Sequence, residues 1–453
     1  MTIPAKPLLC LVLLASAWLA AAPLSSQETA AVTPIIPYPT ETRTLANGLT
    51  VIVVPMPSDG LVAYWTIVRT GSRDEYEPGR SGFAHFFEHM MFRGTQRYPS
   101  EVYQRILTTM GADANAFTTD DLTAYHIGLG VADLERVMEL ESDRFQNLSY
   151  AEGAFQTEAG AVYGEYRKSR SEPDFALYER LMGTAFERHP YGHTTLGYEN
   201  DIAAMPKLYE YSKQFFRRYY RPDNAVVLVV GDVTPANIFT LVEKHYAGWR
   251  PGYEAPQIPV EPEQTAERRF DMTFDGQTLP LLWVSYKLPV YDAADRVRVA
   301  ADLFADLAFG ETSEAYRRLV LDEQVVEDLD ASASYNRDPG LLDITARIKD
   351  PAKVDYVLGV IDATIKQFRD APPDAKRLAD LQKRLRYGFL MGLQTPDAVA
   401  SRVAYFVARN GNLSGLDRTY ATYAAVTPED VHAAAEQYLR VERRTVGVLR
   451  PRQ

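Results

Sequence analysis

Cysteine is nearly missing from this chain. Its 453 residues include one, Cys10, and that residue lies inside the one long apolar run, Leu8 to Ala22. The run follows Lys6 and ends in Ala20-Ala21-Ala22-Pro23. One basic residue, a short apolar stretch and small residues at its end predict a cleaved secretory signal over residues 1–22, with cleavage after Ala22 or nearer Ser26. The run is short for a membrane span. The lack of arginine excludes an Arg-rich mitochondrial presequence, and Cys10 lacks the small residues expected just before a lipidated cysteine. The mature chain is then expected in the periplasm or outside the cell, with no membrane span. It would have no cysteine, so no disulfide and no thiolate ligand, and a metal would have to be held by His, Asp or Glu. Excess positive charge is missing too. With 48 Lys and Arg against 60 Asp and Glu, the net charge is -12, which argues against nucleic-acid binding, because phosphate contacts need a basic face. The rest, 24% charged and 46% hydrophobic, is globular composition in a chain long enough for two or more cores.

What is present is concentrated in Ser81-Gly82-Phe83-Ala84-His85-Phe86-Phe87-Glu88-His89-Met90-Met91. On a helix, His85 and His89 are one turn apart and share a face, with Glu88 beside them. Two imidazoles and an adjacent carboxylate are what a hydrolytic zinc site needs, two ligands and a base. The pattern H-x-x-E-H is the inverted form of H-E-x-x-H. The competing reading is two helical histidines that flank a glutamate by chance. Against it, Phe83, Phe86, Phe87, Met90, Met91 and Phe92 predict a buried segment. Buried histidines and a buried glutamate need partners, which a metal supplies. Nitrogen ligands with a carboxylate point to zinc first. A third ligand must come from elsewhere. Glu158 and Glu165 lie two turns apart on a predicted helix over 150–170, so they share a face. A solvated acidic face is the ordinary fate of such a pair, but residues 159–164 are small or apolar, and Glu165 is a plausible supplier.

The chain predicts an α+β fold of two homologous α/β sandwich domains in tandem. Asn47-Gly48 marks a hairpin over 43–54, and strands are expected near 61–69, 122–129 and 225–230. Helices are expected near 101–110, with Ser100 as N-cap, and near 132–145, 208–220 and 235–249. A Pro-rich stretch without periodicity, 251–264, reads as a linker between a first domain, 28–250, and a second, 265–453. In the second, strands are expected near 279–288, 329–336, 340–348 and 445–449. Helices are expected near 294–308, 313–322, 351–369, 374–392, 397–410 and 428–440. The order helix, Tyr219-Tyr220, turn, strand recurs as helix, Tyr438-Leu439, turn, strand, which suggests duplication with the zinc motif in the first copy only.

The segment Gly71-Ser72-Arg73 followed by Gly82 to Thr95 closely resembles the active-site region of the inverzincin peptidases, which include pitrilysin, insulin-degrading enzyme and the mitochondrial processing peptidase. The likeness extends through Gly111, Asn115-Ala116 with Thr118, Thr123-x-Tyr125, Glu158, Glu165, Tyr191-Gly192 and Tyr220-x-Pro222-x-Asn224. It covers nearly the whole mature chain and is stronger in the first half. The resemblance implies one Zn2+ per chain held by His85, His89 and Glu165, with Glu88 as general base on a zinc-bound water. It implies that Glu158, the family's second acidic residue, supports catalysis from behind the ligands. It also implies that Asn115-Ala116-Phe117-Thr118 is the edge that pairs with a peptide substrate by strand addition. Two-domain relatives dimerise into a closed chamber that admits short or unfolded peptides. One departure stands out. Where self-sufficient members carry an Arg and a Tyr in the second half, this chain has Val320 and Glu327, with Arg317, Arg318 and Tyr335 nearby. In heterodimeric relatives a subunit without zinc supplies that pair, so the expected partner is a related subunit. A non-catalytic core subunit is the alternative; it predicts degraded zinc residues, and all are present.

Overall fold

The computed structural model describes residues 33–452; the predicted signal lies outside the described residues. Six strands form the first sheet: β1 (Glu41–Thr44), β2 (Thr50–Pro55), β3 (Leu61–Val68), β4 (Asp113–Thr118), β5 (Thr123–Gly130) and β6 (Ala225–Gly231). Their order is β1-β2-β6-β3-β5-β4. The second sheet has β7 (Arg268–Phe274), β8 (Leu281–Lys287), β9 (Val326–Ala333), β10 (Leu341–Ile348) and β11 (Arg444–Pro451), in the order β7-β11-β8-β10-β9. From β2 onward the two orders match place for place. Each contains one parallel pair, β2 with β6 and β7 with β11, among antiparallel neighbours. The duplication is thus carried by topology, and among the described residues β1 has no counterpart.

The strand β6, Ala-Val-Val-Leu-Val-Val-Gly, is buried throughout, because both faces of the first sheet are covered. On one face, Val51, Val53, Val62, Tyr64, Val227 and Val229 pack against helices of the first half. These include α1 (Phe83–Met90), α2 (Ser100–Met110), α3 (Leu134–Asn147) and α4 (Glu152–Arg170). On the other face, Ile52, Val54, Trp65, Ile67, Val226 and Leu228 pack against the second half's helix Pro396–Asn410. A helix of the second half therefore completes the core of the first.

Several local expectations change. Pro99, not Ser100, occupies the N-cap of α2, and the Ser100 hydroxyl donates to the Phe92 carbonyl at 2.9 Å. The segment expected as a helix over 313–322 starts as one turn, Glu314–Tyr316, and widens to a π-helix over Arg317–Asp322. The strand β7 and the helix Ser414–Ala425 were not expected from the sequence. Residues 251–265 have no regular secondary structure, yet Glu261 accepts bonds from the backbone N–H groups of Glu187, Arg188 and His189, which ties this stretch to the first half. Among the described residues no helix is long and apolar enough to cross a membrane.

Candidate metal centre

The helix α1 has only eight residues, and neighbouring chain holds both of its ends. At its start Gly82 has φ +91°, and a Cβ there would lie 2.6 Å from the Leu196 carbonyl oxygen, so both conformation and space demand glycine. The buried Glu75 carboxylate accepts from the N–H groups of Gly82 at 2.6 Å and Ala84 at 2.5 Å. It satisfies two N–H groups at the helix start that have no partner within the helix. Near the other end the Tyr125 hydroxyl donates to the Phe87 carbonyl at 3.1 Å and shares a 2.6 Å bond with the Tyr220 hydroxyl. Phe83, Phe86, Phe87 and Met90 are buried in the core. That leaves His85, Glu88 and His89 to meet α4 and β4.

One donor atom from each of His85, His89 and Glu165 lies within 4.8 Å of the others. The Glu165 Oε2 atom is 3.7 Å from His85 Nε2 and 3.4 Å from His89 Nε2. Tetrahedral zinc with bonds of about 2.0–2.1 Å separates its ligand atoms by roughly 3.3 Å, so this triangle fits zinc with little adjustment. Two imidazoles and one carboxylate would hold a tetrahedral ion with one position left for water, as in catalytic rather than structural sites. The other ring nitrogen of His89 meets Glu158 Oε1 at 2.9 Å. This fixes the ring so that Nε2 faces the site, the usual arrangement behind a ligating histidine. The Nδ1 atom of His85 is buried without a hydrogen-bond partner.

Electrostatics separate the two histidines. Burial, aided by the nearby His89, pushes His85 down to about 4, so it is neutral at ordinary pH. Hydrogen bonds to Glu158 and Glu165 pull His89 up to about 9, and the same bonds hold both glutamates below the usual carboxylate range. Burial raises Glu88, partly offset by a 2.6 Å bond from the Thr118 hydroxyl to its Oε2. A carboxyl raised in this way is a better proton acceptor than a solvated one.

The remaining sequence candidates fall in different places. Glu158 meets His89 Nδ1 and Arg93, behind the candidate ligand His89, and also lines the cavity beside the site. Among the described residues the strand β4 is the free edge of its sheet, paired only with β5. Asn115 is exposed, and Ala116 packs on the first core. Phe117 turns to the opposite face, its ring 5.9 Å from Trp65. Thr118 is committed to Glu88. Two groups escaped the sequence reading. Arg93 Nε donates to Glu158 Oε2 at 2.8 Å, and Glu75 anchors the start of α1. A signal for Arg93 was available: a buried acid calls for a cation, and an arginine closes the motif segment. A cavity of about 340 Å3 opens beside the site, lined by Glu88, His89, Phe92, Arg93, Ser100 and Glu158. No residue of the second half is in that wall. Arg317 pairs with Asp322, Arg318 with Glu323, and Glu327 is exposed on the edge strand β9.

Residues 50–199 match the family described as insulinase (peptidase family M16), and residues 208–385 match the peptidase M16 inactive domain. The zinc protease PqqE of Helicobacter pylori is 28% identical over 417 residues, spanning 91% of this chain and 93% of that protein. The mitochondrial-processing peptidase subunit beta of Lentinula edodes is 23% identical over 424 residues, 88% of this chain and 87% of its own length. The crystal structure of a protease from Helicobacter pylori superposes with a TM-score of 0.85 at 27% identity, covering 91% of this chain and all of that one.

Proposed function

Because this chain belongs to peptidase family M16, we propose that it is a secreted or periplasmic zinc metalloendopeptidase that cleaves peptides or unfolded polypeptides. One observation carries the reading: donors of His85, His89 and Glu165 converge within 4.8 Å, with Glu88 alongside. A zinc ion bound there supplies Lewis acidity and lowers the pKa of water toward roughly 7. The protein's own groups do the rest. His85 and His89 present Nε2. Glu158 holds His89 in its ligating tautomer. Glu88 accepts the proton of the attacking water at Oε1, since Oε2 is engaged by Thr118, and returns it to the leaving amine. The free edge of β4 aligns the peptide by backbone pairing.

The oxyanion needs donors of its own, and Val320 and Glu327 stand where relatives carry Arg and Tyr. The active unit is accordingly a heterodimer, with a related subunit that supplies this pair and closes the chamber. A Glu88→Gln protein should keep stoichiometric zinc and lose at least about a hundredfold in hydrolysis of a quenched peptide. Full activity in that variant would remove Glu88 from its role. Zinc bound without hydrolysis under any pairing would instead favour a non-catalytic assembly subunit.

A further inference from the structure

A cavity of about 750 Å3 lies apart from the candidate metal centre. It opens within the second half, among the helices Ala375–Met391, Pro396–Asn410 and Ser414–Ala425 and the loops that follow β8 and β9. Its volume is that of a small-molecule site. Aromatic rings supply much of the wall, among them Phe389, Tyr405, Phe406 and Tyr420. Phe389 and Tyr420 already pack with centroids 4.7 Å apart.

The charge of this cavity runs against that of the chain. Arg402, Arg409 and Arg418 line it against a single acid, Asp292, in a protein of net charge -12. Among the described residues none of the three arginines forms an ion pair. Arg409 is held by backbone carbonyls, donating to Tyr335 at 2.9 Å and Asn336 at 2.6 Å, so it is hydrogen-bonded without being neutralised. Arg402 Nε donates to the Gly392 carbonyl at 3.1 Å. Arg418 has no hydrogen-bond partner among the described residues.

Arg402 lies against Gly392. Gly392 has φ -85°, which any residue can adopt, so backbone conformation does not require glycine there. A Cβ there would lie 2.0 Å from Arg402 Nη2, the far end of a flexible, exposed side chain, which would have to swing aside. The glycine makes room for the guanidinium at the cavity wall. Planar guanidinium groups pair with carboxylates and lie against aromatic faces. We infer that this cavity is a binding site for an aromatic carboxylate, with the ring among Phe389, Tyr405 and Tyr420 and the carboxylate on Arg402 and Arg418. The same chemistry arrives in two forms, a free aryl acid or the C-terminal phenylalanine of a peptide.

Calorimetric titration of the full chain in the Glu88→Gln background, where no probe is cleaved, tests this. The probes are indole-3-acetate, the peptide Gly-Gly-Gly-Phe with a free carboxylate, and its C-terminal amide. At least one acid should bind, and the amide should bind at least tenfold more weakly than the free peptide if the peptide is the ligand. Binding of indole-3-acetate alone identifies the free acid as the source. Arg402→Gln combined with Arg418→Gln should weaken the bound acid at least tenfold, and Gly392→Ala, which keeps both arginines but pushes the Arg402 guanidinium off its place at the wall, should weaken it less. Zinc content, and hydrolysis measured in the wild-type background, should not change. Failure of both acids to bind, equal binding of acid and amide where the peptide binds, or undiminished binding by both variants would overturn the assignment. None of these outcomes bears on the zinc centre.

Discussion

Glu158 bridges His89 Nδ1 and the Arg93 guanidinium. Without Arg93 the carboxylate loses its counter-charge; without Glu158 the imidazole can turn. Carboxylates behind a ligating histidine are typically worth about 10–100-fold in metal affinity. Glu158→Gln should therefore raise the zinc dissociation constant by about that factor, and Arg93→Gln by a smaller one, in competition titrations with a chelator. Thr118 acts on the base instead of the metal. Its hydroxyl fixes Glu88 Oε2 at 2.6 Å from the end of the edge strand, so a peptide that pairs with β4 sits on the element that aims the base. Thr118→Val is expected to lower kcat about tenfold with zinc content unchanged, and Thr118→Ser to restore most of it. If Ser failed to rescue, the methyl group's packing would be the contribution and the hydroxyl would not.

At the scale of elements, α1 depends on its first residue. A side chain at Gly82 meets both an unfavourable φ and the Leu196 carbonyl. Gly82→Ala is expected to cost on the order of 2 kcal/mol in denaturant unfolding and to lower zinc retention in parallel, because His85 and His89 are displaced together. This helix was legible because the motif and its apolar neighbours sit on consecutive turns. Central strands such as β6 were legible from unbroken runs of Val and Leu. The strand β7, Arg-Arg-Phe-Asp-Met-Thr-Phe, was not. It alternates half-buried and exposed residues, and its partner β11 begins at Arg444, far along the chain, so no local signal announces the pairing. Ser100 misled because a serine after proline and before an acidic turn resembles a cap, whereas its hydroxyl serves the Phe92 carbonyl. In the site, residue types and spacing, together with the family likeness, pointed to His85, Glu88, His89 and Glu165. The bonds of Arg93, Glu75 and Thr118 exist only once α1, α4 and β4 are brought together.

For the whole molecule, what matters is how the halves are joined. The loop between β9 and β10 reaches into the first half, where Asp338 meets Arg73 at 2.5 Å and His189 at 3.0 Å, and the Arg337 N–H donates to Asp121 at 2.8 Å. This loop grips the turn that follows β4, close to Thr118. Asp74, fully buried beneath it, is pushed by burial up to about 6 despite the nearby Arg337 and Arg73. Burial also raises Asp338, but its bonds to His189 and Arg73 outweigh that and hold it well below the usual range. The two acids act in opposite directions. A folded pKa above the unfolded one means stability that is present below 3.8 and lost as pH rises through about 6. A depressed folded pKa means stability that is present above 3.8 and lost as pH falls toward the lower folded value. The junction should thus be firmest near pH 3.8, losing the share of Asp74 from there up to about 6 and the share of Asp338 below it. Thermal unfolding from pH 4 to 8 should show the Asp74→Asn protein gaining on the wild type from pH 4 up to about 6, by on the order of 2 kcal/mol, and holding that gain at higher pH. Asp338→Asn should cost roughly 2 kcal/mol at neutral pH, a deficit that holds down to about pH 4 and shrinks only below it. If hydrolysis at pH 7 falls in Asp338→Asn while zinc stays bound, the second half sets the geometry of β4 as well as covering its sheet. If only the unfolding midpoint moves, the junction is structural and the catalytic half orders β4 by itself.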